Sequence, residues 1–298
     1  MIKQTIDFEC ITPCFCAGVE QSQAEIRPSA IRGALRWWLR CLGGTLEQEE
    51  AVFGGSQSIK SSTIQVRISE LKAVDFQIPS PAPRPMTPLA YILYFVSIAG
   101  NPDGKAKFGT GARWNAKGAL GPGSSFILHL RQLRNLPVEC EELLQSSIEA
   151  FRHYGSVGLR ITRGFGAIQD KQVTPDSFKS VNGMLEKKGF VLRKGRKAHK
   201  DWVEWMHAAG NILQNDLRKN FGAGGNKKPP QASALGSINP VRQTSAVYLR
   251  PIKENGNLIF NAFEAPHAKV LGEMSSRPHS KQILLGPNFL DHSRGSSH

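Results

Sequence analysis

Apolar residues recur along this chain with two periods, and the switches between them mark its elements. A period of two puts Ile6, Phe8 and Cys10 on one face of a strand over Ile2–Thr12. The same alternation returns at Ile64, Val66 and Ile68 and at Phe126, Leu128 and Leu130. Ile31, Leu35, Trp38 and Leu42 instead fall at i, i+4, i+7 and i+11, which predicts a helix over Ser29–Leu42 with Ser29 as its N-cap. Leu144, Ile148 and Phe151 predict a second helix over Glu139–Tyr154, and Gly158–Gln169 reads as a last strand interrupted by Gly164 and Gly166. The resulting order, βαββαβ, is the split βαβ or ferredoxin-like unit, with Pro79–Pro88 and Leu89–Ile98 as additions to it.

The later part of the chain is less regular. Trp202, Trp205, Met206, Ala209, Leu213 and Leu217 predict a helix of about five turns, ended by the glycines of Gly222–Gly225. Thr244–Pro251 and Leu258–Glu264 form a hairpin around the Asn-Gly turn of Glu254–Asn257. The expected class is α+β, with one domain over residues 1–172 and a second, abbreviated α+β domain over 173–298.

Composition narrows the function. Forty per cent of the 298 residues are hydrophobic and 21% charged, which excludes a disordered chain or a coiled coil. The longest apolar run, Leu89–Ala99, is far short of the roughly 20 residues that a bilayer requires, so no membrane partner is expected. The first residues lack an apolar signal core, and Cys10, Cys14, Cys16, Cys41 and Cys140 lack paired spacing. Both features suit a reduced, cytoplasmic protein. A formal charge of +14 favours a polyanionic partner. Residues 173–298 hold 19 Lys and Arg against 9 Asp and Glu, so most of the excess lies there. Within it, Lys187–Lys200 has seven basic residues and no acid. That run is expected to be a solvated, mobile loop, with a nucleic-acid contact as the sharper alternative.

Three segments have the chemistry to meet such a partner. On the first helix Arg32, Arg36 and Arg40 recur at i, i+4 and i+8, and no acid lies between Arg27 and Leu46 to pair with them. Guanidinium groups grip phosphates bidentately, and Gly33 in mid-helix hints at close approach by a neighbour or ligand. In the second segment, Arg160–Ile168, Gly164 and Gly166 would leave backbone N–H groups open to a phosphate, with Arg160 and Arg163 supplying charge. The alternative is a bulge that closes a sheet edge. The third is the Gly-rich loop Gly100–Gly123, where Lys105, Lys107, Arg113 and Trp114 suit stacking on single-stranded bases, or else belong to a plain connection. No catalytic or cofactor signature stands out. Walker and His-Glu-x-x-His sequences are missing, Cys10, Cys14 and Cys16 lack a partner pair for zinc, and the first histidine is His129.

Ile11-Thr12-Pro13 followed by Glu25–Arg40 resembles the RAMP superfamily of CRISPR systems, most closely the first-subunit family of the Cmr (type III-B) effector complex. Arg160–Ile168 resembles the family's glycine-rich loop, and Ala234–Ser237 is faintly similar to a motif of its second half. The resemblance implies two packed ferredoxin-like (RRM-like βαββαβ) domains, the second abbreviated and irregular, and no cofactor. It implies a non-catalytic, cytoplasmic RNA-binding subunit that holds the 3′ part of a guide RNA, meets target RNA and contacts other Cmr subunits in antiviral defence. Arg27, Ser29, Arg32, Arg36 and Arg40 would approach RNA backbone, with Arg163, Gly164 and Gly166 flanking it. Sister subunits that cut target RNA use an Asp in the loop after the first strand. Here Pro13–Pro28 offers only Glu20 and Glu25. Two alternatives remain at this stage: a metal-independent endoribonuclease maturing guide RNA, and a structural adaptor between subunits.

Overall fold

The computed structural model describes residues 1–55, 61–80, 82–84, 87–96, 117–218, 234–236, 244–271, 283–287 and 289. Lys105, Lys107, Arg113 and Trp114 lie outside these residues, as do Gly222–Gly225 and Ser237. The chain divides into two units. One comprises residues 1–74, 120–161 and 165–190, and the other residues 75–119, 162–164 and 191–298.

The first unit is built on four antiparallel strands, β1 (Lys3–Cys10), β3 (Ile64–Lys72), β5 (Ser125–Gln132) and β6 (Ile168–Asp170), in the order β3-β5-β1-β6. Helix α1 (Pro28–Cys41) connects β1 to β3, and α4 (Val138–Tyr154) connects β5 to β6. Each crossover therefore leaves room for one strand between the two it joins, as in a split βαβ unit. The alternation in β1 and β5 puts Phe8 against Phe126, with ring centroids 5.4 Å apart, and Phe151 of α4 closes edge-on at 5.4 Å. Ile31, Leu35 and Leu39 of α1 and Leu144 and Ile148 of α4 are fully buried over the same face. The polar alternates, among them Lys3, Thr5, Gln65 and Arg67, stay exposed, so one face of the sheet is core and the other is wet.

Several expectations shift. Arg27, not Ser29, is the N-cap of α1, because Pro28 takes the first helical position where its missing N–H costs nothing. The expected strand Gly158–Gln169 contracts to β6. Gly158, Arg160 and Gly164 all have positive φ, at 89°, 59° and 86°, which no ladder accommodates, and residues 161–163 form a single 3₁₀ turn. Two described helices of eight residues or more escaped the periodicity. One is α2 (Leu46–Phe53), held by a capping box between Thr45 and Gln48; the other is α5 (Pro175–Lys187), capped by Thr174 and Ser177. Two-residue strands β2 (Cys14–Phe15) and β4 (Ala119–Leu120) also precede α4.

In the second unit, β7 (Val191–His199), β8 (Val247–Glu254) and β9 (Asn257–Glu264) form an antiparallel sheet in the order β7-β9-β8. The hairpin turns at Asn255 and Gly256, both at positive φ (49° and 80°), as an Asn-Gly turn requires. Helix α6 (Trp202–Asn211) continues as π-helix over Ile212–Arg218, and short helices α3 (Pro88–Ile92) and α7 (His267–Leu271) complete the unit. Trp205 is fully buried and stacks on Phe260 at 5.1 Å. The basic run Lys187–Lys200 is not a loop: its middle is β7, an edge strand paired with β9 and bulged between Lys194 and Ala198. Charge repulsion there is relieved by the ion pair of Lys194 with Glu254 of β8 and by the exposure of Arg196 and Lys197. No helix among the described residues is long and apolar enough to cross a membrane.

Candidate nucleic-acid interface

The arginines of α1 fall into two groups. Arg36 and Arg40 are not the unpaired cations that local sequence suggests. Glu49 of α2, buried with only 7% of its side chain exposed, takes Arg36 Nε at 3.3 Å and Arg40 Nη1 at 2.9 Å. Arg36 also donates to the Gly54 carbonyl and lies over the Phe53 ring at 5.7 Å. These two residues clamp α2 onto α1. The side chains of Arg27 and Arg32, by contrast, have no ion pair or hydrogen bond to another described residue, and the Nε of Arg32 is buried without a partner.

The N-terminal half of α1 therefore gathers several anion-binding features. Arg27 and Ser29 are exposed, no acid lies in the first turn, and no side chain caps the helix N–H groups. The partial positive charge of a helix N-terminus adds to that of the arginines. Gly33 is exposed one turn further on, and a Cβ there would meet nothing within 4 Å. No described residue explains the glycine, and a ligand backbone could lie directly on the helix at that point.

The chain leading into α1 is fastened to the glycine-rich loop. Ile11 N donates to Ala167 O at 2.8 Å and Gly166 N to Pro13 O at 2.8 Å; Leu159 N donates to Phe15 O at 2.9 Å, and Ala167 N to Thr12 Oγ1 at 3.0 Å. Arg160, exposed, is thereby held beside the segment that delivers Arg27 to the helix. Arg163 is half-buried in the 3₁₀ turn. The two glycines serve a different purpose from the one expected. Both are buried, and the N–H of Gly166 is already donated to Pro13, so it is closed to a phosphate. A Cβ on Gly166 would run into the Val157 carbonyl oxygen, and one on Gly164 into the Trp205 ring. They are glycines because the backbone has positive φ and close neighbours there.

The outer face of the first sheet is not a stacking platform. Thr5, Asp7, Glu9, Ile127, His129, Arg131, Gln65, Arg67 and Ser69 occupy it, with no Phe, Tyr or Trp among these described positions. His129 is held from both sides, by Thr5 Oγ1 at 3.3 Å and Ser69 Oγ at 2.8 Å. His153 is buried, with Nδ1 on the Glu149 carbonyl and Nε2 on the Ser177 hydroxyl, both at 2.8 Å, and burial lowers its pKa. No three His, Cys, Asp or Glu side chains among the described residues are arranged to hold a metal ion. The residue that sequence reasoning missed is Glu49, and its signal was present in the capping-box spacing Thr45-Leu46-Glu47-Gln48.

The model of the RAMP superfamily matches residues 7–169, more than half of the chain, and the chain belongs to that superfamily. Over 81 residues it is 27% identical to the CRISPR system Cmr subunit Cmr1-2 of Pyrococcus furiosus, a match covering 24% of this chain and 43% of that protein. The match thus spans less than half the length of that curated relative. Among solved structures, the apo crystal structure of Cmr1 from Pyrococcus furiosus superposes with a TM-score of 0.58 at 18% identity, covering 98% of this chain and 97% of that one. A chain from the cryo-EM structure of type III-B Cmr-beta bound to cognate target RNA and AMPPnP gives 0.57 at 12% identity, covering 98% and 99%. The mixed α/β fold with antiparallel sheets is therefore the Cmr1 fold.

Proposed function

We propose that this chain is a non-catalytic RNA-holding subunit of a type III-B Cmr effector complex, gripping the 3′ part of a guide RNA and the target RNA paired with it. The observation that carries this reading is the unpartnered half of α1: Arg27, Ser29 and Arg32 around an uncapped helix N-terminus, with Gly33 open beside them. Such a surface reads phosphate spacing and leaves sequence to base pairing, as in other guided effectors. Arg160 extends it, and Arg163, Gly164 and Gly166 are read as residues that would flank the RNA. Lys105, Lys107, Arg113 and Trp114 would add stacking contacts to a single strand. The second unit's three-stranded sheet is read as an abbreviated counterpart of the ferredoxin-like first unit, making a pair of RAMP domains. Neighbouring Cmr subunits complete the assembly, with no membrane and no cofactor involved.

Two of the described histidines also favour holding over cutting. His129 and His153 are each engaged on both ring nitrogens, and the loop between β1 and α1 offers Glu20 and Glu25 where slicing relatives place an Asp. The direct test is to incubate the chain with end-labelled single-stranded RNA and run native and denaturing gels across a salt series. Retardation that weakens by about two orders of magnitude or more between about 50 and 200 mM salt, with RNA intact, is the expected result. Discrete metal-independent products would establish a processing nuclease instead, and no retardation at low salt would leave a protein adaptor.

A further inference from the structure

Several glycines of this fold have an internal reason. Gly158, Gly164, Gly166 and Gly210 each face a neighbour that a Cβ would strike. Two mid-helix glycines do not: Gly33 in α1, already placed in the RNA-facing surface, and Gly183 in α5, each with nothing within 4 Å of a Cβ. A glycine inside a helix is less favourable than alanine. At Gly183 no described residue packs where a Cβ would stand.

The surroundings of Gly183 suggest what meets it. Lys179 and Lys187 stand at i−4 and i+4, on the same face of α5 and about 6 Å to either side along the axis. With Asp176, Ser180, Met184 and Lys188 they line a shallow groove whose floor is Gly183 and the half-buried Met184. Lys179, Lys187 and Lys188 are exposed and have no ion pair with any described residue. The other side of the helix is the buried one, through Phe178, Val181 and Leu185.

We propose that this groove is a protein-docking site that receives an acidic helix of a neighbouring subunit. One apolar side chain of that helix would enter the notch at Gly183, and carboxylates one turn to either side of it would pair with Lys179 and Lys187. A notch flanked by point charges suits this geometry, because a small residue lets two helices approach closely and a methionine floor adapts to the knob. Phosphate is the poorer fit, since the floor is apolar and Asp176 stands at one end. A second copy of this chain is poorer still, because its charge of +14 opposes a basic groove. The proposal rests on membership of a multisubunit complex, and the test separates the two.

The chain is co-expressed with the other subunits of its own complex as wild type, Gly183→Leu and Lys179→Glu/Lys187→Glu, and its incorporation is measured by native mass spectrometry. Single-stranded RNA binding by each isolated chain is measured alongside. Gly183→Leu fills the notch while raising helix propensity, so unfolding does not explain a loss. At least a tenfold drop in incorporation for both variants, with RNA affinity within twofold of wild type, supports the site. Restored incorporation of the lysine variant by a subunit whose facing carboxylates are changed to lysine does so further. Variants that assemble like wild type overturn the groove and leave the complex intact. Variants that lose RNA affinity instead make the groove an RNA surface and overturn the protein partner. A wild-type chain that enters no complex overturns the membership on which the proposal stands.

Discussion

Nη1 of Arg40 lies 2.9 Å from one carboxylate oxygen of Glu49 and 3.2 Å from the other, and the same carboxylate holds Arg36 from the adjacent turn of α1. A buried acid from α2 thus neutralises one half of a basic stripe whose other half stays bare. The split gives Arg36 and Arg40 a structural part, and on the proposed reading the RNA contact falls to Arg27 and Arg32.

Arg36→Glu should consequently unfold more easily than wild type, because it breaks the Gly54 contact and puts two carboxylates together. A loss of about 2–3 kcal/mol is expected, read by urea denaturation. Arg32→Glu, on a side chain with no partner among the described residues, should keep its stability within about 0.5 kcal/mol while weakening RNA binding several-fold. Its salt slope should fall by about 0.7 if it meets one phosphate of a single strand. An unchanged slope would remove Arg32 from the interface.

Gly166→Ala should be among the more damaging single-methyl additions in this chain. It demands positive φ (61°) and drives a Cβ into the Val157 carbonyl, so a loss above about 2 kcal/mol is expected. Gly33→Ala should instead stabilise α1 by up to about 1 kcal/mol, since its Cβ meets nothing. Thermal melts of the two variants should move in opposite directions.

Cysteine chemistry should single out Cys16. The neighbouring Cys14 thiol lowers its pKa and it is half-exposed, whereas hydrogen bonds with Cys10 and Cys16, and then burial, hold Cys14 well above the usual thiol range. Iodoacetamide near pH 7.5 should label Cys16 first, as read by peptide mass spectrometry, and Cys16→Ser should abolish that fast phase. Fastest labelling at Cys14 would contradict the arrangement.

Stability should decline on mild acidification. His153 and His199 both have pKa values lowered chiefly by burial, so the unfolded chain binds more protons than the folded one below about pH 6.5. Their contribution is complete above that value and is lost as pH falls toward the lower folded values. In the neutral ring, Nδ1–H donates to the Glu149 carbonyl and Nε2 accepts from the Ser177 hydroxyl. His153→Gln should flatten the change in melting temperature between pH 7.5 and 5.5 relative to wild type.

Where burial follows a simple period, the chain's own letters were enough. Ile6, Phe8 and Cys10 announced β1, Ile31 to Leu42 announced α1 to within a residue or two, and Asn255-Gly256 announced its hairpin turn, because each signal is local and repeats at the spacing of the backbone. The resemblance around Arg27–Arg40 was likewise contiguous in sequence. Pairing across distance was not legible. Glu49 lies nine residues from Arg40 and reaches it only because α2 folds back along α1, and the partners of Gly164 and Gly166 are a ring and a carbonyl that no local window contains. The basic run around Lys194 looked like solvated loop for the same reason. Its strand character comes from β9, more than sixty residues later, which supplies the hydrogen bonds the run could not form alone. Where apolar residues recur periodically, element identity is a property of spacing along the chain. Which charges remain free for a partner depends on which distant residues arrive to neutralise them, and only the tertiary structure decided that.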